Sequence, residues 1–77
     1  MKENFSTKDL SLASLLYAKN IPFVGIDRDG RTCWFLFENK ELCETLQQQF
    51  FAKSVEVNAK DYADALRTLK NLVFAVV

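Results

Sequence analysis

The sequence predicts one small α+β domain, in which a β-hairpin forms a small mixed sheet and helices pack against it. The chain has 77 residues, the length of a single small domain, so residues 1–77 are assigned to one unit. Two short runs rich in aromatic and β-branched residues, at about 22–38, flank a turn, whereas the segments on either side have helical periodicity. The predicted order of elements is α-β-β-α-β-α.

The first predicted helix covers residues 7–19. Ser6 can accept a hydrogen bond from the backbone amide of Asp9, so Ser6 is the expected N-cap. Phe5 and Leu10 then have the spacing of a hydrophobic staple around that cap. The apolar residues that follow keep a helical period until an Asn-Ile-Pro sequence ends the helix.

The hairpin is predicted from the turn sequence Asp27-Arg28-Asp29-Gly30. Aspartate at the first position and glycine at the fourth suit a type I turn, with Gly30 in the left-handed conformation of a bulge. With the bulge in the turn, the large side chains divide between two faces. One face carries Val24, Ile26, Trp34 and Leu36, and the other carries Ile21, Phe23, Phe35 and Phe37.

A second helix is predicted at residues 40–52, with Asn39 as its N-cap. Its apolar stripe consists of Leu42, Leu46 and Phe50, with Cys43 beside it. Residues 53–57 alternate like a short third strand whose two valines point inward.

The third predicted helix covers residues 59–73, with Asn58 before it. One face of this helix carries Tyr62, Leu66, Leu69 and Val73. The apolar tail at residues 74–77 is compatible with a continued helix or with an edge strand.

Composition excludes most catalytic chemistry. The chain has no histidine, which removes the side chain best suited to proton transfer near neutral pH. Its only glycines, Gly25 and Gly30, cannot form a phosphate-binding loop. We therefore expect no enzymatic activity, no cofactor and no small-molecule substrate.

A metal site is also not predicted. Asp27, Asp29 and Glu38 have the spacing of three ligands in a calcium-binding loop, but Thr32 stands where that loop requires glycine. Cys33 and the cysteine of the second helix are expected to be reduced thiols, because no secretion signal precedes them. No apolar run is long enough to span a membrane, and a cytoplasmic location is expected.

The apolar character of both hairpin faces raises three alternatives. Helices could cover both faces, another protein chain could cover one of them, or exposed aromatics could stack on nucleic-acid bases. The leading hypothesis is a non-catalytic protein-binding module that uses one hairpin face and self-associates or binds another protein. The residues assigned to that site are Val24, Ile26, Trp34 and Leu36, with Arg28 and Arg31 at the rim.

The rival hypothesis is a nucleic-acid-associated accessory domain. Arg28, Arg31, Lys40 and Lys53 would then contact phosphate, and Trp34 or another aromatic would stack on a base. The equal numbers of basic and acidic residues, ten of each, favour a mixed-charge surface over this function.

Three sequence blocks resemble a small domain family of unknown function that is associated with bacteria, bacteriophages and other mobile elements. The blocks are FSTKDLSLASLLYAKN, GIDRDGRTCWFLFE and DALRTLKNL, and they extend from Phe5 to about Leu72. The resemblance implies an accessory role in a phage or mobile element. It implies no catalytic residues, because the family has no assigned activity.

Overall fold

A computed structural model describes residues 3–75 as a three-stranded antiparallel sheet packed against three helices. The elements in chain order are β1 (Phe5–Thr7), α1 (Leu10–Ala18), β2 (Phe23–Asp29), β3 (Thr32–Phe37), α2 (Lys40–Phe51) and α3 (Ala59–Ala75). The α+β class, the hairpin and the central order α-β-β-α are confirmed. The third strand precedes α1 instead of following α2, and all strand pairs are antiparallel, so the sheet is not mixed.

The unpredicted strand β1 forms because its alternating side chains complete the core face of the sheet. Phe5 lies opposite Phe37 on β3, and Thr7 lies opposite Phe35. Phe5 and Thr7 are buried, whereas Ser6 between them is exposed. Since this segment is extended, Ser6 does not cap a helix, and the staple predicted around it is also wrong.

Helix α1 begins three residues later than predicted and is capped by an aspartate. The carboxylate Oδ1 of Asp9 accepts hydrogen bonds from the backbone amides of Ser11, at 2.9 Å, and Leu12, at 3.3 Å. The hydroxyl of Thr7 in turn accepts a hydrogen bond from the backbone amide of Asp9, at 3.1 Å. Two successive side-chain hydrogen-bond acceptors, Thr7 and Asp9, therefore connect the end of β1 to the start of α1.

The hairpin turn is shorter than predicted. Asp29 pairs with Thr32, which leaves only Gly30 and Arg31 in the turn. Gly30 has a φ of +62°, and Arg31 is not among the residues with positive φ. This combination is required by a type II′ turn, whose twist matches that of the two strands.

The β-bulge lies at the opposite end of β2. Phe23 pairs with Phe37 and Gly25 pairs with Leu36, so Val24 is an extra residue that has no partner in the register. Gly25 has a φ of +152°, a conformation that side-chain-bearing residues rarely adopt. A glycine at this position therefore permits the bulge.

Helix α1 forms the centre of the core. Five consecutive residues, at positions 12–16, are buried, so the helix has contacts around most of its circumference. It packs chiefly against α3 and also contacts α2, β1 and β3. Its one buried hydroxyl, on Ser14, donates a hydrogen bond to the carbonyl of Leu10 at 2.8 Å. The core residues are Phe5, Leu12, Ala13, Leu15, Leu16, Ile21, Phe35, Phe37, Cys43, Leu46 and Leu69.

The segment predicted as the third strand, residues 53–57, instead ends α2. Lys53 has a left-handed φ of +60°, and its amide donates a hydrogen bond to the carbonyl of Phe50 at 3.2 Å. The amide of Ser54 donates to the carbonyl of Gln49 at 2.9 Å. These two bonds form a Schellman motif, in which the left-handed Lys53 cannot be part of an extended strand. The two valines that follow pack against the core without pairing to the sheet.

The predicted bounds of α2 agree with the structure to one residue, and Asn39 caps the helix by accepting a hydrogen bond from the amide of Leu42 at 3.4 Å. The buried stripe is rotated from the prediction. Cys43 and Leu46 are buried, Phe50 is half-buried, and Leu42 is exposed.

Helix α3 begins at Ala59, as predicted. Asn58 Oδ1 accepts hydrogen bonds from the backbone amides of Lys60 and Asp61, both at 3.0 Å. Leu69 and Ala65 are buried on its inner face. The hydroxyl of Tyr62 donates a hydrogen bond to the carbonyl of Ser11 at 3.1 Å, which joins α3 to the start of α1. The helix continues to Ala75, and the last two residues of the predicted tail lie outside the described residues.

Replacing Asp9 by alanine should lower the free energy of unfolding by about 1 kcal/mol, because two amides at the start of α1 would lose their acceptor. Denaturant unfolding followed by circular dichroism measures this change. Asp9→Asn keeps a cap of similar strength and should stay close to the wild type. A larger loss for Ser6→Ala than for Asp9→Ala would contradict the observed start of the helix.

Candidate functional site

The helices leave one face of the sheet open. The buried sheet residues Phe5, Phe35 and Phe37 belong to the same core as the helix residues. The alternate positions point the other way, because successive side chains of a strand lie on opposite faces. We call this surface the open face and define it by Ser6, Gly25, Asp27, Trp34 and Leu36. Trp34 and Leu36 are its large apolar side chains, and both are only partly buried.

A groove of about 440 Å³ runs along the open face near the hairpin turn. Its lining consists of Ser6, Asp27, Arg28, Asp29, Trp34 and Leu36. All of these are strand residues, so no helix of residues 3–75 contributes to this groove. Asp27 lies directly opposite Trp34 in the register, which places a carboxylate beside the indole ring. The groove therefore combines an apolar floor with two carboxylates and one guanidinium group.

Of the four apolar residues predicted for the site, the structure brings two together on the open face, Trp34 and Leu36. Ile26 pairs with Phe35, so it lies on the core face and not on the face predicted for it. The error arises because the turn has two residues and contains no bulge, which shifts the pairing of β2 with β3 by one residue and moves Ile26 to the core face. Val24 is 50% exposed at the bulge.

The two arginines predicted at the rim separate. Arg28 lines the open-face groove, and its Nε donates a hydrogen bond to the carbonyl of Gly30 at 3.0 Å. Arg31 occupies the second position of the turn and lines a different cavity, on the helix side of the sheet. Arg28 therefore borders the open-face groove from the edge strand, although its pairing with Cys33 places it at a helix-side position of β2, and Arg31 does not border this groove.

The four cations of the rival hypothesis do not form one patch. Lys40 follows the end of β3 that is farthest from the hairpin turn, on the order of 20 Å from Arg31 at about 3.3 Å per strand residue. The ammonium group of Lys40 also forms an ion pair with the carboxylate of Glu3 at 3.2 Å. Lys53 lies beyond the other end of α2, again about 20 Å from Lys40 along the helix.

Both cysteines are free thiols. Cys43 is fully buried on α2, and its Sγ donates a hydrogen bond to the carbonyl of Glu38 at 3.4 Å. Burial, with a smaller contribution from the negative charge of Glu44, raises the pKa of the Cys43 thiol to about 11. Cys43 is therefore a packing residue and not a nucleophile at neutral pH.

Sequence reasoning missed a second concave site, which we call the cationic groove. It has a volume of about 400 Å³ and is lined by Lys8, Leu10, Arg31, Thr32, Cys33, Phe35, Lys70, Val73 and Phe74. These residues come from the start of α1 and the residue Lys8 before it, from the hairpin and from the end of α3. Because the three basic residues are more than twenty positions apart in the sequence, no local pattern indicates that they meet.

The fold and its surfaces define a small α+β domain whose antiparallel sheet is covered by helices on one side only. The chain belongs to the family described as Domain of unknown function (DUF5659), which matches residues 2–75. This result agrees with the resemblance to a family of unknown function in the three sequence blocks. No curated protein and no solved structure matches the chain significantly.

Two further properties concern the part of the chain that the structure describes. Within residues 3–75, no helix has the length and apolar character needed to cross a bilayer. The same residues contain no group of three or more histidine, cysteine, aspartate or glutamate side chains that could hold a metal ion.

The position of the bulge predicts unequal effects for two neighbouring substitutions. Ile26→Ala should lower the free energy of unfolding by about 2 kcal/mol, because Ile26 packs against the core beside Phe35. Val24→Ala should cost about 0.5 kcal/mol, because Val24 is half exposed. Denaturant unfolding compares the two variants, and equal losses would contradict the register shift.

The raised pKa of Cys43 predicts a loss of stability at alkaline pH. Below about pH 9, the ordinary pKa of the thiol, the neutral form is present in both states and its contribution is intact. As the pH rises from about 9 to 11, the unfolded chain releases this proton while the folded chain retains it, so the free energy of unfolding falls, by about 2 kcal/mol. Urea unfolding at several pH values measures the decline.

Cys43→Ala is the matched control for this titration, because it retains every other group that ionises in the same range. The pH-dependent difference between wild type and variant isolates the thiol. Parallel pH profiles for the two proteins would contradict the assignment.

Proposed function

We propose that this domain is a non-catalytic protein-binding accessory module of a bacterium, phage or mobile element, and that it binds its partner through the open face. The proposed setting is cytoplasmic. The observation that carries the proposal is a sheet covered by helices on one side only, with Trp34 and Leu36 on the uncovered side. The assignment to a bacterium, phage or mobile element rests on the sequence blocks alone.

The chemistry of the open face supports protein binding. Tryptophan and arginine are enriched among the residues that contribute most to protein interfaces, and here Trp34 and Arg28 line one groove. The carboxylates of Asp27 and Asp29 surround the apolar centre with a polar rim, as in typical interfaces. A partner that presents an apolar side chain beside a basic one would complement both parts of this groove.

A non-catalytic role is supported by the side chains that could act as a nucleophile or as a general base. The chain has no histidine to act as a general base near neutral pH. The buried thiol of Cys43 stays protonated at that pH, since its pKa is about 11. Binding therefore accounts for the surface without requiring a chemical step.

The face of the sheet is a better candidate than its edge. β2 is an edge strand, because the strand order is β1-β3-β2. Its outer part carries consecutive charges at Asp27, Arg28 and Asp29, and its inner part contains the bulge. Charges and bulges on edge strands oppose pairing with another strand. We therefore propose contact through side chains of the open face and not through an added strand.

A second copy of this domain is one candidate partner. A symmetric dimer through the open face would set the guanidinium of Arg28 in one copy against the carboxylates of Asp27 and Asp29 in the other, around apposed Trp34 side chains. Such self-complementarity requires both signs of charge on one surface, and the groove contains both.

The nucleic-acid function is less well supported. Phosphate binding requires clustered cations, whereas Asp27 and Asp29 lie in the same groove as the exposed part of Trp34. Lys40 is also remote from the hairpin turn and paired with Glu3.

The test is partner capture with a tagged protein from a bacterial lysate, with and without nuclease treatment, combined with sedimentation velocity of the pure protein over a range of concentrations. We expect either a retained protein partner or a concentration-dependent dimer. Trp34→Ala should weaken that association about tenfold or more, because the ring provides the apolar centre of the groove.

Phe51→Ala provides the matched control. Phe51 is an exposed aromatic, 63% accessible, which lies on α2 and does not line the groove. Thermal unfolding verifies that both variants are folded. Recovery of nucleic acid alone, or equal association of wild type and folded Trp34→Ala, would overturn the proposal.

A further inference from the structure

We propose that the cationic groove is a binding site for a small amphipathic anion, a molecule with a single anionic head group on an apolar body. This site lies on the helix side of the sheet and is separate from the open face. Its occupant would be a bound ligand and not a substrate, because the lining residues within positions 3–75 include no pair of groups suited to acid–base or nucleophilic chemistry.

The charge of the groove is the first argument. The whole chain has ten basic and ten acidic residues, yet the described residues that line the groove include three cations and no carboxylate. The cations are Lys8, Arg31 and Lys70. None of the three has a carboxylate oxygen within 4.0 Å among residues 3–75. Three positive charges around one concavity, unpaired within the described part of the chain, attract an anion.

The apolar part of the lining is the second argument. Phe35 is almost completely buried and forms the floor, and Leu10 and Val73 are half-buried at the boundary between the core and the groove. Phe74 lies in the same lining and is 69% exposed. An inorganic anion would leave this apolar surface uncovered, whereas a hydrocarbon or ring body would bury it.

The shape of the groove favours a small molecule over a protein partner. A volume of about 400 Å³ lies within the range of small-molecule pockets, about 300–1,000 Å³. Three separate elements surround the groove, with Arg31 on the turn, Lys8 before α1 and Lys70 on α3. Head-group contacts from these three directions, above an apolar floor, match a compact amphiphile.

A natural reporter is present in the groove. Cys33 belongs to the lining and is only partly buried, whereas the other cysteine, Cys43, is fully buried. A thiol reagent should therefore modify Cys33 selectively in the folded protein. A ligand in the groove should slow this modification.

The experiment measures binding of decanoate, below the concentration at which it forms micelles, by isothermal titration calorimetry and by protection of Cys33 from alkylation. Decyl phosphate is a second amphipathic anion. Three further probes test separately whether binding requires the negative head group and the apolar body. Decyltrimethylammonium has the same body with a cationic head, butyrate has the same head with a short body, and inorganic phosphate has no body.

We expect saturable binding of decanoate or decyl phosphate, protection of Cys33, and binding at least about tenfold weaker for all three dissecting probes. The double variant Arg31→Gln/Lys70→Gln should weaken decanoate or decyl phosphate binding about tenfold, because two of three head-group contacts are lost. Lys60→Gln is the matched control, an exposed lysine at the other end of α3 that does not line the groove.

Three results would overturn the inference. Equal binding of decyltrimethylammonium would show that charge plays no part, and equal binding of inorganic phosphate would show that the apolar floor plays none. Absence of binding by both decanoate and decyl phosphate would also overturn the inference. Trp34→Ala should leave decanoate or decyl phosphate binding unchanged, so this test is independent of the function proposed for the open face.

Discussion

The burial of α1 is the constraint on which the rest of the structure depends. Five consecutive residues of this nine-residue helix are buried, so it must be covered from several directions at once. α3 supplies the largest contact, and α2 and the core face of the sheet supply the others. Because α2, α3 and one sheet face are used to enclose α1, no helix of residues 3–75 remains to cover the second face of the sheet. The open face follows from how a short chain distributes its limited apolar surface.

The sequence predicted elements wherever the local signal and the tertiary structure agree. Asn39 and Asn58 both precede helices and cap them through their side chains, as predicted. Ser6 failed as a cap because Phe5 and Thr7 gain more by extending along β3 than by starting a helix. Residues 53–57 failed as a strand because Lys53 and Ser54 close the Schellman motif of α2. In the first case a tertiary pairing overrode a local pattern of a few residues, and in the second case one local pattern, the end of a helix, outweighed another.

In the candidate sites as well, some residues could be assigned from the sequence and others could not. Trp34 and Leu36 could be assigned to one face from strand alternation alone, and the structure agrees. Ile26 could not, because its face depends on whether the hairpin turn has two residues or three, and the turn sequence is compatible with both. The cationic groove was beyond local sequence reasoning, because only the packing of α3 against the hairpin side of the core brings Lys70 near Arg31.

The central strand β3 has a genetic consequence. Trp34 and Leu36 lie on the open face, whereas Phe35 and Phe37, which alternate with them along the strand, lie in the core. Adjacent codons therefore encode residues of different surfaces. Point substitutions can therefore alter the open face while the core is retained. Insertion or deletion of one codon within β3 would exchange the two sets of side chains on the C-terminal side of the change. Within this family, divergence of β3 should proceed by substitution at alternate positions and not by changes in its length.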